Sequence, residues 1–207
     1  IQCSSEGGHV EVVKFLLTLP NVDPAANEHM ALRYAAQSGH LGVVRLLIED
    51  GRSDPSAADN NAISVSAENG HWDVVKELLR CSGVDPNADA AYSICKAAEN
   101  GGHVGVVKEL LQDGRADPTD DDHFSLKAAA AEGCTFIVEL LLIDGRADPT
   151  AELEFCLRIA AEKDFIDIVR LLLTDGRVRD DTGEARRLAN ESGHIMVRDL
   201  IESHFMK

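Results

Sequence analysis

The sequence predicts an all-α solenoid of about seven stacked helix pairs, joined by short loops or hairpin fingers. Three observations predict it. An Asp-Pro dipeptide recurs about every 31 residues, a Gly-His dipeptide keeps the same spacing, and an aliphatic segment follows each Gly-His position. One such unit cannot bury its apolar face alone, whereas stacked copies can, which is typical of a repeat architecture.

The two dipeptides define the period of the repeat. The prolines of the Asp-Pro dipeptides are 31, 31, 32 and 31 residues apart, in the pairs Asp23-Pro24, Asp54-Pro55, Asp85-Pro86, Asp117-Pro118 and Asp148-Pro149. The Gly-His dipeptides are Gly8-His9, Gly39-His40, Gly70-His71, Gly102-His103 and Gly193-His194. A doubled Gly101-Gly102 accounts for the longer step, and Gly133-Cys134 and Asp164-Phe165 occupy the equivalent positions with other residues.

Each period predicts two helices. The aliphatic segment has apolar residues at i, i+1, i+3 and i+4, a broad stripe that suits a helix buried on two sides. Its copies are Leu41–Ile48, Trp72–Leu79, Val104–Leu111, Thr135–Leu142 and Ile166–Leu173. Within the second of these copies we expect Val75 and Leu79 to be buried. A glycine follows four of the helices, where a left-handed cap is expected, at Gly51, Gly114, Gly145 and Gly176. After the Asp-Pro we expect a shorter helix, such as Leu32–Ala36 or Leu126–Ala130.

Composition restricts the class of protein. Apolar residues make up 44% of the chain and aromatic residues only 4%, so the core must be aliphatic. The formal net charge of −16 argues against a nucleic acid or an anionic membrane as the main partner. No apolar run approaches the roughly 18 residues of a membrane span. Five cysteines without a Cys-x-x-Cys pair fit a reduced, intracellular protein, and we expect a cytoplasmic one.

The ends of the sequence differ from one another. Ile1 is not a methionine and falls inside a predicted helix, so we expect sequence upstream of it and a truncated first repeat. In the last repeat, residues 180–207, polar Asn190 and Arg198 replace the apolar residues of the other copies. Terminal repeats need a polar outer face for solubility, so we interpret residues 1–207 as one repeat domain with a C-terminal cap.

These residues resemble the ankyrin repeat, whose motif reads roughly Thr-Pro-Leu-His-x-Ala-Ala-x-x-Gly-His-x-x-Val-Val-x-x-Leu-Leu-x-x-Gly. The chain carries in the same order Leu32, Ala35-Ala36, Gly39-His40, Val43-Val44, Leu46-Leu47 and Gly51. The period is about two residues shorter than the family's usual one, and other residues replace the Thr-Pro and the following His. The resemblance implies a concave face, built from loop tips and exposed positions of the shorter helix, that binds another protein.

Chemistry-bearing residues in the chain have structural interpretations. Ligands of one zinc ion must converge, whereas the Gly-His histidines lie one repeat apart, so we expect them to hydrogen-bond the turn between helices. The run Asp120–Asp122 lacks the pattern of a calcium loop and indicates a solvated tip. Arginines follow the capping glycines at Arg52, Arg115, Arg146 and Arg177; they could contact an acidic partner, but pairing with a helix C-terminus and a nearby aspartate is favoured.

Catalytic motifs are absent from the sequence. It contains no Gly-rich phosphate-binding loop with Gly-Lys-Ser/Thr, no His-Glu-x-x-His and no Gly-x-Ser-x-Gly. Cys95, Cys134 and Cys156 are interpreted as buried small residues rather than nucleophiles. We therefore expect no enzyme activity, no cofactor and no metal.

The predicted function is protein–protein binding as an adaptor, scaffold or subunit of an assembly. An alternative is a regulatory or targeting domain of a larger enzyme or channel whose catalytic part precedes Ile1. Positions carried over from the family give an acidic strip on the concave face, and we expect a basic protein segment to bind there. The candidate residues are His29, Glu68, Asn69, Glu99, Asn100, Asp121, Asp122, His123, Glu132, Glu154 and Glu162.

Overall fold

The computed structural model describes residues 1–99, 102–180 and 183–205, with the helical side chains among them except those of residues 89–92 and 153. These residues form 14 α-helices and no β-strand, which confirms the all-α prediction. Candidate residue Asn100 and the first glycine of the doubled pair, Gly101, lie outside the described residues, as does the side chain of Asp89. No helix in the described ranges has both the length and the apolar character needed to cross a membrane.

The helices alternate along the chain as seven pairs, as predicted. The first helices of the pairs are α1 (Gln2–Glu6), α3 (Ala26–Gln37), α5 (Ala57–Glu68), α7 (Ala88–Glu99), α9 (Asp120–Ala131), α11 (Ala151–Glu162) and α13 (Glu184–Glu191). The second helices are α2 (Val10–Leu17), α4 (Leu41–Asp50), α6 (Trp72–Leu79), α8 (Val104–Asp113), α10 (Thr135–Asp144), α12 (Ile166–Asp175) and α14 (Ile195–Phe205). The second helices from α4 to α12 begin at the residues that the sequence predicts.

The chain divides into two compact units, Ile1–Asp117 and Pro118–Lys207. In the first unit, each first helix packs on the next first helix, from α1 through α3 and α5 to α7. The second helices α2, α4, α6 and α8 form a parallel series of contacts. The second unit repeats the arrangement with α9, α11 and α13 in one series and α10, α12 and α14 in the other. Each unit is therefore held together by contacts between neighbouring pairs.

The core of each unit is aliphatic, as the composition predicts. In α4 the side chains of Val43, Val44 and Leu47 are fully buried, and the same three positions are buried in α6, α8, α10 and α12. Paired alanines such as Ala35 and Ala36 are also fully buried. Their small side chains let neighbouring first helices approach closely, so the alanine pairs set the spacing of the stack.

Four second helices end in the predicted left-handed glycine. The φ angles are 78° at Gly51, 79° at Gly114, 80° at Gly145 and 80° at Gly176. Only glycine adopts this conformation without steric cost from a Cβ. The helix α6 has no such glycine and ends at Arg80 in the right-handed region, so its C-terminus is built differently.

The start of the first helices differs from the prediction. The bounds of α3 span 12 residues and those of α4 span 10, but the right-handed part of α3 begins only after His29, so it is shorter than α4, as expected. The additional length includes three successive residues with positive φ, which in α3 are Asn27, Glu28 and His29 at 56°, 55° and 57°. Equivalent left-handed turns open α5 and α9. Each such residue costs about 1–2 kcal/mol unless it is glycine, so contacts elsewhere must hold these turns in place.

One burial prediction was wrong. Val75 is fully buried as expected, but Leu79 is only half-buried, and the fully buried leucine of α6 is Leu78. The Val-Val-x-x-Leu spacing places Leu78 on the same face as Val74 and Val75, whereas Leu79 lies one position farther around the helix.

Replacing Leu78 by Ala should therefore lower the free energy of unfolding by roughly 2–5 kcal/mol, through lost burial and a residual cavity. Because a stack couples neighbours, hydrogen-exchange protection should fall mainly in the second, third and fourth pairs. The matched control is Leu79→Ala, which removes the same atoms from a half-exposed position and should cost clearly less. Urea titration of both variants measures the difference, and equal losses would contradict this description of the core.

Candidate functional site

The Gly-His histidines join one pair to the next. The His40 Nε2–H donates to the backbone oxygen of Glu6 at 2.9 Å, and His71 binds the oxygen of Gln37 at 2.9 Å. The same bond joins His103 to Glu68 at 3.1 Å and His194 to Glu162 at 2.9 Å. The predicted structural role of these four histidines is confirmed: each ring binds a carbonyl at the C-terminal end of the preceding first helix.

Gly8, Gly39 and Gly70 make room for the histidine ring that follows one pair later. A Cβ added to Gly39 would lie 2.5 Å from the ring of His71, and one added to Gly70 would lie 2.5 Å from the ring of His103. Because no real Cβ comes this close, these two glycines are required by the neighbouring pair as well as by their positive φ. In the second unit, Phe165 provides the ring that covers Gly133.

The arginines after the capping glycines make a second junction. Arg52 binds both carboxylate oxygens of Asp50, at 2.6 and 2.8 Å, and also donates to the backbone oxygens of Leu17 and Val22 in the preceding pair. Arg115 repeats all four bonds, and Arg177 binds Asp175 and the oxygen of Ala147. The predicted pairing with aspartate and carbonyl groups is confirmed, with the carbonyls supplied by the preceding pair.

These ion pairs hold the aspartates in their charged form. The hydrogen bonds from Arg52 lower the pKa of Asp50, and those from Arg177 lower the pKa of Asp175, against the opposing effect of partial burial. The Arg146 guanidinium acts in the same way on the pKa of Asp144.

Several candidate binding residues make a third junction. In α3, α5, α9 and α11, a residue with positive φ near the start of the helix accepts a hydrogen bond from a backbone N–H in the next pair. His29 Nδ1 accepts from Asp54 at 3.0 Å, Asn60 Oδ1 from Asp85 at 2.8 Å, His123 Nδ1 from Asp148 at 3.1 Å and Glu154 Oε1 from Arg179 at 2.5 Å. The side chains of His29, His123 and Glu154 are therefore committed to the stack.

A substitution in the sequence shows how specific this junction is. The equivalent position in the fourth pair is Ala91, a residue type without an acceptor atom. There the side chain of Asn87 takes over, with its Oδ1 accepting from the backbone N–H of Asp117 at 2.7 Å. The amide nitrogen of Asn87 donates to the oxygen of Arg115 at 2.6 Å. An acceptor thus faces the next turn even where the usual residue is missing.

The remaining candidates point outward. Glu68 and Asn69 are exposed at the end of α5, where the Asn69 amide donates to the oxygen of Val65 at 2.7 Å. Glu99 is exposed at the end of α7 and lies 3.6 Å from the Lys96 ammonium. In the second unit, the exposed carboxylates at the opening turns and ends of the first helices are Asp121, Asp122, Glu132, Glu152 and Glu162.

Two cations of the first helices, Arg33 and Lys127, lie beside acids of the opening turns, and the sequence pattern did not predict these contacts. Lys127 is largely buried, with 12% of its side chain exposed, and its ammonium lies 3.1 Å from Asp122 and 2.7 Å from Glu152. The Lys127 hydrogen bond lowers the pKa of Asp122. Arg33 lies 3.8 Å from Glu28 in the first unit. Both cations occupy the position that is a histidine in the ankyrin motif, and this substitution is the sequence signal that could have revealed them.

Part of the acidic strip is therefore already neutralised within the protein. Among the residues that the structure describes, no ion pair reaches Asp59 or Glu68 in the first unit, or Asp121, Glu132 or Glu162 in the second. These five acids, here called the unpaired acids, are exposed. They leave negative charge at the ends and opening turns of the first helices.

The cysteines are free thiols, and two of the three interpreted as buried are buried. Cys95 and Cys156 have exposures of 4% and 1%, but Cys134 is half-exposed because it stands where other pairs place the ring of the Gly-His histidine. Burial raises the pKa of the Cys156 thiol to about 12, so at neutral pH it is not the thiolate that a nucleophile requires. The described part of the chain contains no group of three or more His, Cys, Asp or Glu side chains placed to hold a metal.

His123→Ala should lower the free energy of unfolding by about 1 kcal/mol, because it leaves the Asp148 N–H without its acceptor. His123→Asn is the matched control, since Asn60 accepts the equivalent bond from Asp85 in the first unit. The asparagine variant should retain most of the stability. Chemical denaturation measures both, and equal losses in the two variants would show that the acceptor atom does not matter.

Acid should weaken the second unit through Asp175. A carboxyl whose folded pKa lies below its unfolded value, about 3.9, contributes stability above that value and loses it as pH falls through the folded pKa. Asp175→Asn should therefore reduce stability at neutral pH and flatten its dependence on pH below about 4. Thermal denaturation as a function of pH tests this, and an acid slope identical to that of the unmodified protein would contradict the assignment.

Comparison with known proteins agrees with the repeat geometry. A family model described as ankyrin repeats (3 copies) matches residues 1–90, 63–153 and 94–182, and these overlapping matches cover most of the chain. Among curated proteins, no sequence matches. The family match, together with the Gly-His junctions and the helix pairs, shows that the chain belongs to the ankyrin repeat family.

Proposed function

We propose that this chain is a non-catalytic interaction module that serves as an adaptor, a scaffold or a structural subunit of an assembly. Ankyrin repeats are generally protein–protein interaction modules and typically carry no catalysis. The observation that carries the proposal is that the polar side chains fall into two groups, those that bind neighbouring helix pairs and those that face solvent. His, Arg and turn residues are committed to the junctions, whereas the unpaired acids face solvent without a cation.

The partner that fits these acids is a protein with a basic segment. Each unit presents unpaired acids at the ends of its first helices and at their opening turns, for example Glu132 and Glu162 at the ends of α9 and α11. Carboxylates of one sign on one face produce a field that attracts cationic groups and speeds their association. The formal net charge of −16 supports a basic protein rather than a nucleic acid or an anionic membrane. The five free thiols support a location inside the cell.

Charge reversal on the second unit tests the proposal. The variant Glu132→Lys/Glu162→Lys should slow association of a Lys- and Arg-rich probe peptide, while leaving the unfolding midpoint nearly unchanged because both side chains are exposed. Raising salt should slow association with the unmodified protein, since exposed charges are screened beyond about 8–10 Å at physiological ionic strength. Stopped-flow fluorescence gives the association rates.

The matched control reverses two exposed acids of the second helices, as Glu11→Lys/Glu49→Lys, and so makes the same change in formal charge. If the face matters, this control should bind the peptide at a rate close to that of the unmodified protein. Equal slowing by both double variants would mean that the peptide responds only to net charge, and the proposed face would be wrong.

A further inference from the structure

A groove between neighbouring second helices occurs in both units. Its lining is mostly charged in the first unit and more apolar in the second. In the first unit the groove lies between α6 and α8, has a volume of about 260 Å³, and is lined by Lys76, Leu79, Arg80, Glu109, Gln112 and Asp113. In the second unit the groove lies between α10 and α12, has a volume of about 230 Å³, and is lined by Glu139, Leu142, Ile143, Leu171, Thr174 and Asp175. The two sets occupy the same six positions of the repeat, counted from the Gly-His position.

An ion pair between neighbouring helices crosses the groove of the first unit. The Lys76 ammonium lies 3.0 Å from Glu109, and one helix earlier Arg45 lies 3.0 Å from Glu77. These pairs run from one second helix to the next and leave a polar surface. No docking partner is needed to satisfy it.

The groove of the second unit has lost this pattern. Glu139 stands where the first unit has Lys76, Leu171 replaces Glu109 and Ile143 replaces Arg80. The apolar surface continues along α10, where Phe136 is 70% exposed and Ile143 is 76% exposed. Large apolar side chains that are exposed together mark an interaction site. We call this surface, formed by Phe136, Ile143, Leu142 and Leu171, the apolar groove.

One charge lies at the edge of the apolar groove. In the described ranges, the Glu139 carboxylate has no ion pair. The two equivalent positions of the first unit are Lys76 and Glu109, which pair with each other, whereas the second unit has Glu139 and Leu171 there. A carboxylate beside apolar side chains favours a ligand that brings both an apolar face and a cation. The chemistry of the occupant is therefore set by the groove together with its rim.

We propose that the apolar groove binds an amphipathic helix of a partner protein, with leucine-like side chains on one face and a lysine or arginine that pairs with Glu139. The channel between two parallel helices accepts the ridge of side chains on a third helix, and helix-in-groove binding reads apolar anchors at i, i+4 and i+7. This surface lies on the second helices, apart from the unpaired acids of the first helices, so the inference does not depend on the acidic face.

The test uses a labelled helical peptide of about 15 residues, with leucines at i, i+4 and i+7 and a lysine at i+3. The triple variant Glu139→Lys/Ile143→Arg/Leu171→Glu rebuilds the side chains of the first unit's groove at the same positions. It should fold normally, because these residues already coexist there. Fluorescence anisotropy should show saturable binding to the unmodified protein and at least about tenfold weaker binding to the rebuilt variant.

Two controls make the test specific. The reciprocal variant Asp73→Phe/Lys76→Glu/Arg80→Ile/Glu109→Leu gives the first unit an apolar groove and should raise the stoichiometry from one peptide to two. The single variant Glu139→Lys should bind the lysine peptide more weakly and should bind a peptide with glutamate at that position more tightly. A surface that binds apolar peptides without specificity would not show this exchange.

Three results would overturn the proposal. The first is the absence of saturable binding up to peptide concentrations on the order of 1 mM. The second is equal affinity for the unmodified and rebuilt proteins. The third is self-association of the unmodified protein that the rebuilt variant abolishes in sedimentation velocity, because the occupant would then be a second copy of this chain.

Discussion

Hydrogen bonds from side chains of one helix pair to the backbone of its neighbour are the interaction on which the rest of the structure depends. The ends of short helices leave carbonyl and N–H groups without partners, and a chain of repeated helix pairs multiplies these ends. Between neighbouring pairs such as the first and second, a histidine binds the preceding first helix, an arginine binds the preceding second helix, and a turn residue accepts a hydrogen bond from the following pair. Burial of aliphatic side chains drives folding, and these hydrogen bonds fix the position of each helix pair relative to its neighbour.

The left-handed turns follow from the same requirement. Three successive residues with positive φ place the last side chain of the turn, such as His29 or Asn60, where it meets the N–H of the next Asp-Pro turn. The bond provides an acceptor for a backbone N–H that is partly buried at Asp85 and Asp148, and at about 1 kcal/mol it offsets only part of the conformational cost. The first two residues of each turn, such as Asp121 and Asp122, then project into solvent. The same left-handed turn is therefore both the strained part of the backbone and the part that exposes acidic side chains to solvent.

Much of the fold could be predicted from the sequence, because spacing encodes it directly. The period of Asp-Pro and Gly-His gave seven pairs, and the Val-Val-x-x-Leu pattern gave the starts of the second helices. Contacts between repeats could not be predicted in this way. Nothing in the sequence near His123 or Glu154 reveals that their acceptor atoms bind the backbone of the next pair. Lys127 lies between Asp122 and Glu152, which come from different pairs, and only the stacked structure brings the three together.

The contact between a glycine and the ring of the following pair has a consequence for how such a gene changes. Gly39 and His40 are adjacent in sequence, yet the glycine faces forward to His71 and the histidine faces back to Gly8. A repeat with an intact Gly-His, such as that of Gly39 and His40, therefore carries one half of each of two different junctions. Duplication or loss of a whole repeat of this kind leaves each ring with a glycine, whereas a point substitution at Gly39 or His40 breaks a contact with a residue in the neighbouring repeat, His71 or Gly8. Arrays of this type are expected to vary in repeat number more readily than at these two positions, and to show covariation across the junction rather than within the repeat.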